Sequence, residues 1–150
     1  MAVISEVSEK IYQIKPEGEE FETFPLCTTY LIADENMALV EVGCSVQLQD
    51  IIEAVDKLGY DIRKLSYIIP THVHPDHAGG AGLLARQLPQ AKVVAHPRAV
   101  KVLADAFILE RLMQGFKGSK LTREDFLASA PYFIPATIEG YRQYFKNNTF

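Results

Sequence analysis

The chain has 150 residues, of which 48% are apolar and 23% are charged, and its formal net charge is −4. These values are typical of one soluble globular domain, and the acidic balance disfavours nucleic acid or an anionic membrane as the main partner. No apolar stretch reaches the roughly 18 residues of a membrane span, and the start shows no signal-peptide pattern, so we expect a protein without a membrane role.

The first third of the chain is predicted to form strands. Residues 10–14 alternate between apolar and polar side chains, and the polar stretch 15–23 indicates a loop. Two β-rich runs, 26–33 and 37–43, follow. The "DEN" between these runs predicts a hairpin turn.

The centre alternates between helices and strands. The sequence predicts a helix with Ser45 as N-cap and Gly59 as its closing residue, and a second helix that stops before Pro89. The nearly continuous apolar run 65–71 is typical of a strand buried on both faces, and 91–96 predicts another strand. This alternation predicts an α/β fold class, with helices layered on a sheet.

The last part of the chain is predicted to be helical. Pro97 suits the first turn of a third helix, and residues 106–150 form a helical tail interrupted at Pro131 and Pro135. With no repeat and no clear linker, residues 1–150 are predicted to form a single domain.

Cysteine usage bears on the cellular setting. Cys27 and Cys44 are too few for a disulfide framework, so a reducing, cytoplasmic location is expected. Both are interpreted as small buried side chains.

The run "THVHPDHAGG" concentrates metal-ligating side chains directly after the apolar strand 65–71. His72 and His74 are two apart in an extended segment, so both side chains point to the same side and can share one ion. Pro75 is expected to break regular structure and swing Asp76 and His77 towards a second ion. Zinc, iron and manganese all accept such nitrogen and oxygen ligands.

The residues that follow the cluster have predicted roles, and the cluster itself has an alternative interpretation. Gly79 and Gly80 open a helix whose amides would favour an anionic substrate group. The alternative for the whole cluster is a polar loop with satisfied histidines. His96 stands alone before Pro97 and is interpreted as a hydrogen-bonded structural or surface histidine.

The cluster resembles the H-x-H-x-D-H metal-binding signature of the metallo-β-lactamase superfamily. Residues 38–45, 58–72 and 91–103 resemble the strands and helices that flank this signature, and the similarity extends over about residues 10–105. The resemblance implies the αβ/βα sandwich of that family. Here the sandwich is expected to be truncated to the N-terminal sheet with its helices, followed by the helical tail.

The resemblance also implies the chemistry. His72 and His74 would bind the first metal ion, and Asp76 and His77 the second, giving up to two divalent ions, with zinc preferred over iron or manganese. A metal-activated hydroxide, held by Asp76 as the catalytic carboxylate, would hydrolyse a small-molecule ester, thioester, lactone or phosphoester.

Two departures from the family pattern qualify this hypothesis. Glu41 stands where the family usually has an aspartate that supports a metal ligand, and we expect it to take the same role. The family's later histidine motifs are absent, because His96 is the only histidine after His77. A second copy or another chain could therefore complete the site. The alternative function is a catalytically incomplete, truncated member that acts as a metal-binding or interaction module.

Overall fold

A computed structural model describes residues 2–17, 27–43, 47–99 and 133–135 of the chain. Seven strands form one mixed sheet in the order β1-β2-β3-β4-β5-β6-β7, in which the first three pairings are antiparallel and the last three are parallel. The strands are β1 Ala2–Ser8, β2 Ile11–Pro16, β3 Thr29–Ile32, β4 Ala38–Val40, β5 Tyr67–Ile69, β6 Lys92–Ala95 and β7 Phe133–Pro135. The helices are α1 Leu48–Lys57, α2 Pro75–Ala78 and α3 Ala81–Gln87, with a 3-10 helix at Ile62–Lys64.

The N-terminal meander agrees with the sequence prediction for β2, β3 and β4 and adds a strand that was not predicted. Strand β1 pairs with β2 through a turn in which Lys10 has a positive φ of 58°. The predicted hairpin turn between β3 and β4 is confirmed, with Leu31 opposite Leu39. The sequence of β1 ends in polar residues on both faces, which is why its alternation is weak.

Helix α1 begins later than predicted. Ser45 lies outside the described residues, and the N-cap is Gln47, whose side chain makes no capping bond. The Gln47 side-chain amide instead donates to the Cys27 carbonyl at 3.0 Å. This bond connects the start of α1 to the segment that precedes β3. The predicted end is confirmed: Gly59 has a φ of 83° and its N–H donates to the Asp56 carbonyl at 2.8 Å, a left-handed closure that favours glycine.

The core lies between one face of the sheet and helices α1 and α3. The largest of its buried side chains come from every strand from β2 to β6 and from both helices; they include Ile14, Leu31, Leu39, Ile68, Val93, Ile51, Val55 and Leu84. Burying this apolar surface is the main stabilising contribution to the fold.

Strand β5 differs from its prediction. Ile68 is fully buried, whereas Tyr67 and Ile69 on the opposite face are only partly buried. The expectation of a strand buried on both faces was wrong, because in the described part of the chain only Ile68 of this strand joins the core that α1 and α3 share. A continuous apolar run does not reveal which of its residues the helices cover.

The rest of the chain is described only in part. Residues 97–99 are helical, as predicted from Pro97. The other residues of the predicted third helix, and most of the predicted helical tail, lie outside the described residues. Residues 133–135 form β7, parallel to β6. This strand lies in the interruption predicted at Pro131 and Pro135, and the strand itself was not predicted. No described helix is long and apolar enough to cross a membrane.

Candidate metal centre

The candidate centre lies where the parallel strands β4 and β5 end. The carboxyl ends of parallel strands meet at one edge of a sheet, where ligand sites commonly form. Glu41 directly follows β4, and its backbone N–H donates to the Ile69 carbonyl at 3.0 Å. The Thr71 backbone N–H donates to Glu41 Oε1 at 2.9 Å. These two bonds join the segment that carries the histidines to the end of β4.

Glu41 is the residue that connects the strands to the histidine cluster. It is buried, with 6% of its surface exposed, and its φ of 61° is uncommon for a residue other than glycine. Its Oε2 lies 3.0 Å from His77 Nδ1. The neighbouring Val42 N–H donates to the His77 carbonyl at 3.2 Å. His77 is thus held at both its backbone and its ring.

The sequence predicted that Pro75 breaks regular structure, and this prediction was wrong. Pro75 instead begins the short helix α2. Proline suits a first helical turn because its φ is fixed there and its missing N–H has no intrahelical partner to lose. The N–H groups of His77 and Ala78 both donate to the His74 carbonyl, at 3.0 and 2.9 Å. This turn brings His77 back over the extended segment.

The structure brings the three predicted histidine ligands together. The ring centroids of His72 and His77 are 4.0 Å apart, and those of His72 and His74 are 4.7 Å apart. The pKa of His72 lies below its usual value, first because of burial and then because of the neighbouring His77 and His74. A neutral imidazole is the form that binds a metal ion.

Asp76 provides a test of whether these residues suit a cation. Its Oδ2 lies 3.4 Å from His77 Nε2, while its Oδ1 is buried and makes no hydrogen bond. A buried carboxylate oxygen without a donor is costly unless a cation or water compensates it. Together with the imidazoles, it forms a nitrogen and oxygen donor set that suits zinc, iron or manganese.

One neighbouring residue was not predicted as part of the site. Ligand atoms of Cys27, Glu41 and His77 all lie within 4.8 Å of one another, a trio that includes only one of the four predicted ligands. Cys27 is buried, as predicted, but no local sequence pattern indicates that it approaches the histidine cluster. Cys44 lies outside the described residues.

His96 and the paired glycines have other roles. His96 is exposed, and its Nδ1 accepts the Arg98 N–H at 3.2 Å, which confirms a hydrogen-bonded surface histidine. Gly80 is the N-cap of α3, and its N–H donates to the Gly43 carbonyl at 2.8 Å. An anionic substrate group at this helix remains a prediction.

The mixed sheet, its helices and the histidine cluster at the strand ends define an α/β protein with a candidate metal centre. The family model of the metallo-β-lactamase superfamily matches residues 23–142. The chain belongs to this superfamily, as its sequence indicated.

Individual relatives agree with this assignment. The chain is 35% identical over 88 residues to the uncharacterized protein YobT of Bacillus subtilis, an alignment that covers 58% of this chain and 34% of that protein. A metallo-β-lactamase of Cronobacter sakazakii has a similar fold, with a TM-score of 0.57 and 20% identity over 67% of this chain and 37% of that one. A B3 metallo-β-lactamase with an active-site glutamic acid gives a TM-score of 0.51 and 30% identity over 61% of this chain and 32% of that one. The chain spans about a third of the length of these relatives.

Proposed function

We propose that this chain is a metal-dependent hydrolase in which His72, His74, Asp76 and His77 bind up to two divalent ions, with zinc preferred over iron or manganese. One observation carries the proposal: three imidazole rings converge beside a buried Asp76 oxygen that has no hydrogen-bond partner. Membership of a superfamily of metallo-hydrolases supports the same class of activity.

Glu41 has a positioning role in this proposal. If its Oε2 accepts the proton of His77 Nδ1, the other ring nitrogen, Nε2, is left as the metal ligand. Because the same carboxylate also accepts the Thr71 N–H, its orientation is fixed from two directions. Glu41 thereby selects the ring tautomer of His77 and holds the ring still.

Asp76 is the proposed catalytic carboxylate. A divalent cation, when bound, supplies Lewis-acid chemistry to hydrolysis. Asp76 would hold the attacking water and accept its proton, since its Oδ2 lies 3.4 Å from His77 Nε2, the ring nitrogen proposed as a metal ligand. Attack at carbonyl carbon or phosphorus makes small-molecule esters, thioesters, lactones and phosphoesters the proposed substrates.

A second candidate function is a metal-binding or interaction module without catalysis. The four proposed ligands provide only two for each of two ions, whereas tetrahedral zinc takes four ligands, of which one is commonly water in a catalytic site. A second copy of the chain or another protein could supply the remaining ligands and complete the fold. This candidate predicts metal binding without turnover by the chain alone.

The first experiment is elemental mass spectrometry of the purified chain, with its mass measured by light scattering in the same run. His72→Ala and His74→Ala are the test variants. His96→Ala is the matched control, because His96 is an exposed histidine whose ring accepts the Arg98 N–H and contacts none of the four proposed ligands in the described hydrogen bonds. We expect about two ions per chain or per completed site, a clear loss in both test variants and no change in the control.

Hydrolysis is then measured on a panel containing one chromogenic substrate of each proposed class. Turnover that follows metal content across the variants supports the hydrolase. Metal binding without turnover, in the chain and in any oligomer it forms, favours the module. Unchanged metal content in both His72→Ala and His74→Ala would exclude the proposed centre.

A further inference from the structure

We propose that Cys27, Glu41 and His77 form a second, inner metal position that takes a divalent ion with an affinity for thiolate, such as zinc. The three ligand atoms lie within 4.8 Å of one another. They come from three separate parts of the chain: the approach to β3, the end of β4 and helix α2. The position differs from the proposed hydrolase centre because it uses neither His72 nor His74.

The distances suit a tetrahedral ion after a small adjustment. Bond lengths of about 2.0–2.1 Å to nitrogen or oxygen and about 2.3 Å to sulfur place ligand atoms roughly 3.3–3.6 Å apart. Glu41 Oε2 and His77 Nδ1 are already 3.0 Å apart. Cys27 Sγ lies within 4.8 Å of the other ligand atoms and needs to approach by roughly 1.2 Å at most. A side-chain rotation provides such a movement.

Burial and charge also favour an ion at this position. Cys27 and Glu41 are only 7% and 6% exposed. A thiolate and a carboxylate together carry two negative charges, which neutralise a divalent cation. A buried charge is costly unless it is compensated in this way. His77 supplies the third ligand, and a fourth position remains for water.

His77 connects the two positions. Its Nδ1 contacts Glu41, and its Nε2 lies 3.4 Å from Asp76 Oδ2 on the other side of the ring. An ion at the inner position would replace the proton between Nδ1 and Glu41, so Glu41 would change from a hydrogen-bond acceptor to a metal ligand. Because thiolate favours zinc and cobalt over manganese, the inner position should discriminate among metals.

Cobalt is the probe that tests this proposal, because a thiolate bound to Co²⁺ gives a charge-transfer absorption band in the near ultraviolet. The full chain is titrated with Co²⁺, and in parallel with Mn²⁺. We expect the band in the natural chain and in Cys44→Ser, and its loss in Cys27→Ser. The double variant His72→Ala/His74→Ala should keep the band, since the inner position does not use these residues.

The controls separate this proposal from the hydrolase centre. Since the chain has two cysteines, a band that persists in Cys44→Ser identifies Cys27 even if Cys27→Ser does not fold. Cobalt binding without the band, or loss of the band in Cys44→Ser, would overturn the inner position. Neither result affects the hydrolase proposal, which fails instead if His72→Ala and His74→Ala leave metal content unchanged.

Discussion

Glu41 Oε2 lies 3.0 Å from His77 Nδ1, and this contact joins the end of strand β4 to helix α2. The same carboxylate accepts the Thr71 N–H through Oε1, so one buried side chain fixes both the start and the end of the histidine segment. Glutamate reaches His77 here even though the family usually has the shorter aspartate at this place. The positive φ of Glu41 accompanies this arrangement.

Glu41→Gln should weaken metal binding by about 10- to 100-fold, which is the usual effect of removing a carboxylate that supports a histidine ligand. Glutamine keeps the shape and can still accept the Thr71 N–H, but it has no charge to favour the proton on His77 Nδ1. The measurement is competition with a chromogenic chelator. Glu53→Gln, which makes the same change at an exposed position of α1, is the control for net charge. Equal affinities for Glu41→Gln and the natural chain would contradict the positioning role.

Much of the site could be predicted because its residues are close in sequence. His72, His74, Asp76 and His77 form a local pattern, and the apolar run before them placed that pattern at a strand end. The short helix α2 could not be predicted in the same way, because Pro75 is compatible both with a break and with a first helical turn.

The contacts that were missed are long-range. Cys27 approaches His77 only because β3, β4 and α2 meet at one edge of the sheet, and no local pattern encodes that meeting. Strand β1 was missed for the same reason, because it is stabilised by pairing with β2 and its apolar and polar residues alternate only weakly. The same reason applies to β5, where long-range packing decides which residues are buried.

Gly43→Ala and Gly59→Ala compare how much a methyl group destabilises two backbone turns. Gly43 lies next to the candidate site, and Gly59 lies at the end of α1. Both glycines have positive φ values, 63° and 83°. A Cβ at Gly59 would contact nothing within 4 Å, so Gly59→Ala should lower the free energy of unfolding by about 1 kcal/mol through backbone strain alone. A Cβ at Gly43 would overlap the Gln47 side-chain amide, which is held by its bond to the Cys27 carbonyl.

Gly43→Ala should therefore cost at least about 1 kcal/mol more than Gly59→Ala, because steric overlap is added to the strain. Urea unfolding of the two variants measures the difference. Equal losses would show that the Gln47 side chain moves away freely, and that the turn at Gly43 is not tightly packed.

Val93→Ala and Val3→Ala make the same chemical change at a buried and an exposed strand position. Val93 is fully buried in the core, whereas Val3 is 45% exposed. Val93→Ala should lower the free energy of unfolding by about 2–3 kcal/mol, from lost apolar burial and the cavity that remains. Val3→Ala should change it by no more than about 0.5 kcal/mol. A loss at Val3 as large as that at Val93 would mean that the outer face of β1 is covered in solution.

Tyr12 and Tyr60 give a pH prediction away from the metal centre. Their hydroxyl oxygens are 3.2 Å apart, and this hydrogen bond, followed by burial, raises the pKa of Tyr12 to about 12. A raised pKa in the folded chain means that the bond contributes stability below the unfolded value of about 10 and loses that contribution as the pH rises to about 12. An alkaline titration followed by NMR of the Tyr12 ring carbons reports the ionisation of Tyr12 alone. Tyr60→Phe should move this ionisation back towards the ordinary range, because the main cause of the shift is removed. If Tyr12 ionises at the same pH with and without the Tyr60 hydroxyl, the hydrogen bond does not exist in solution.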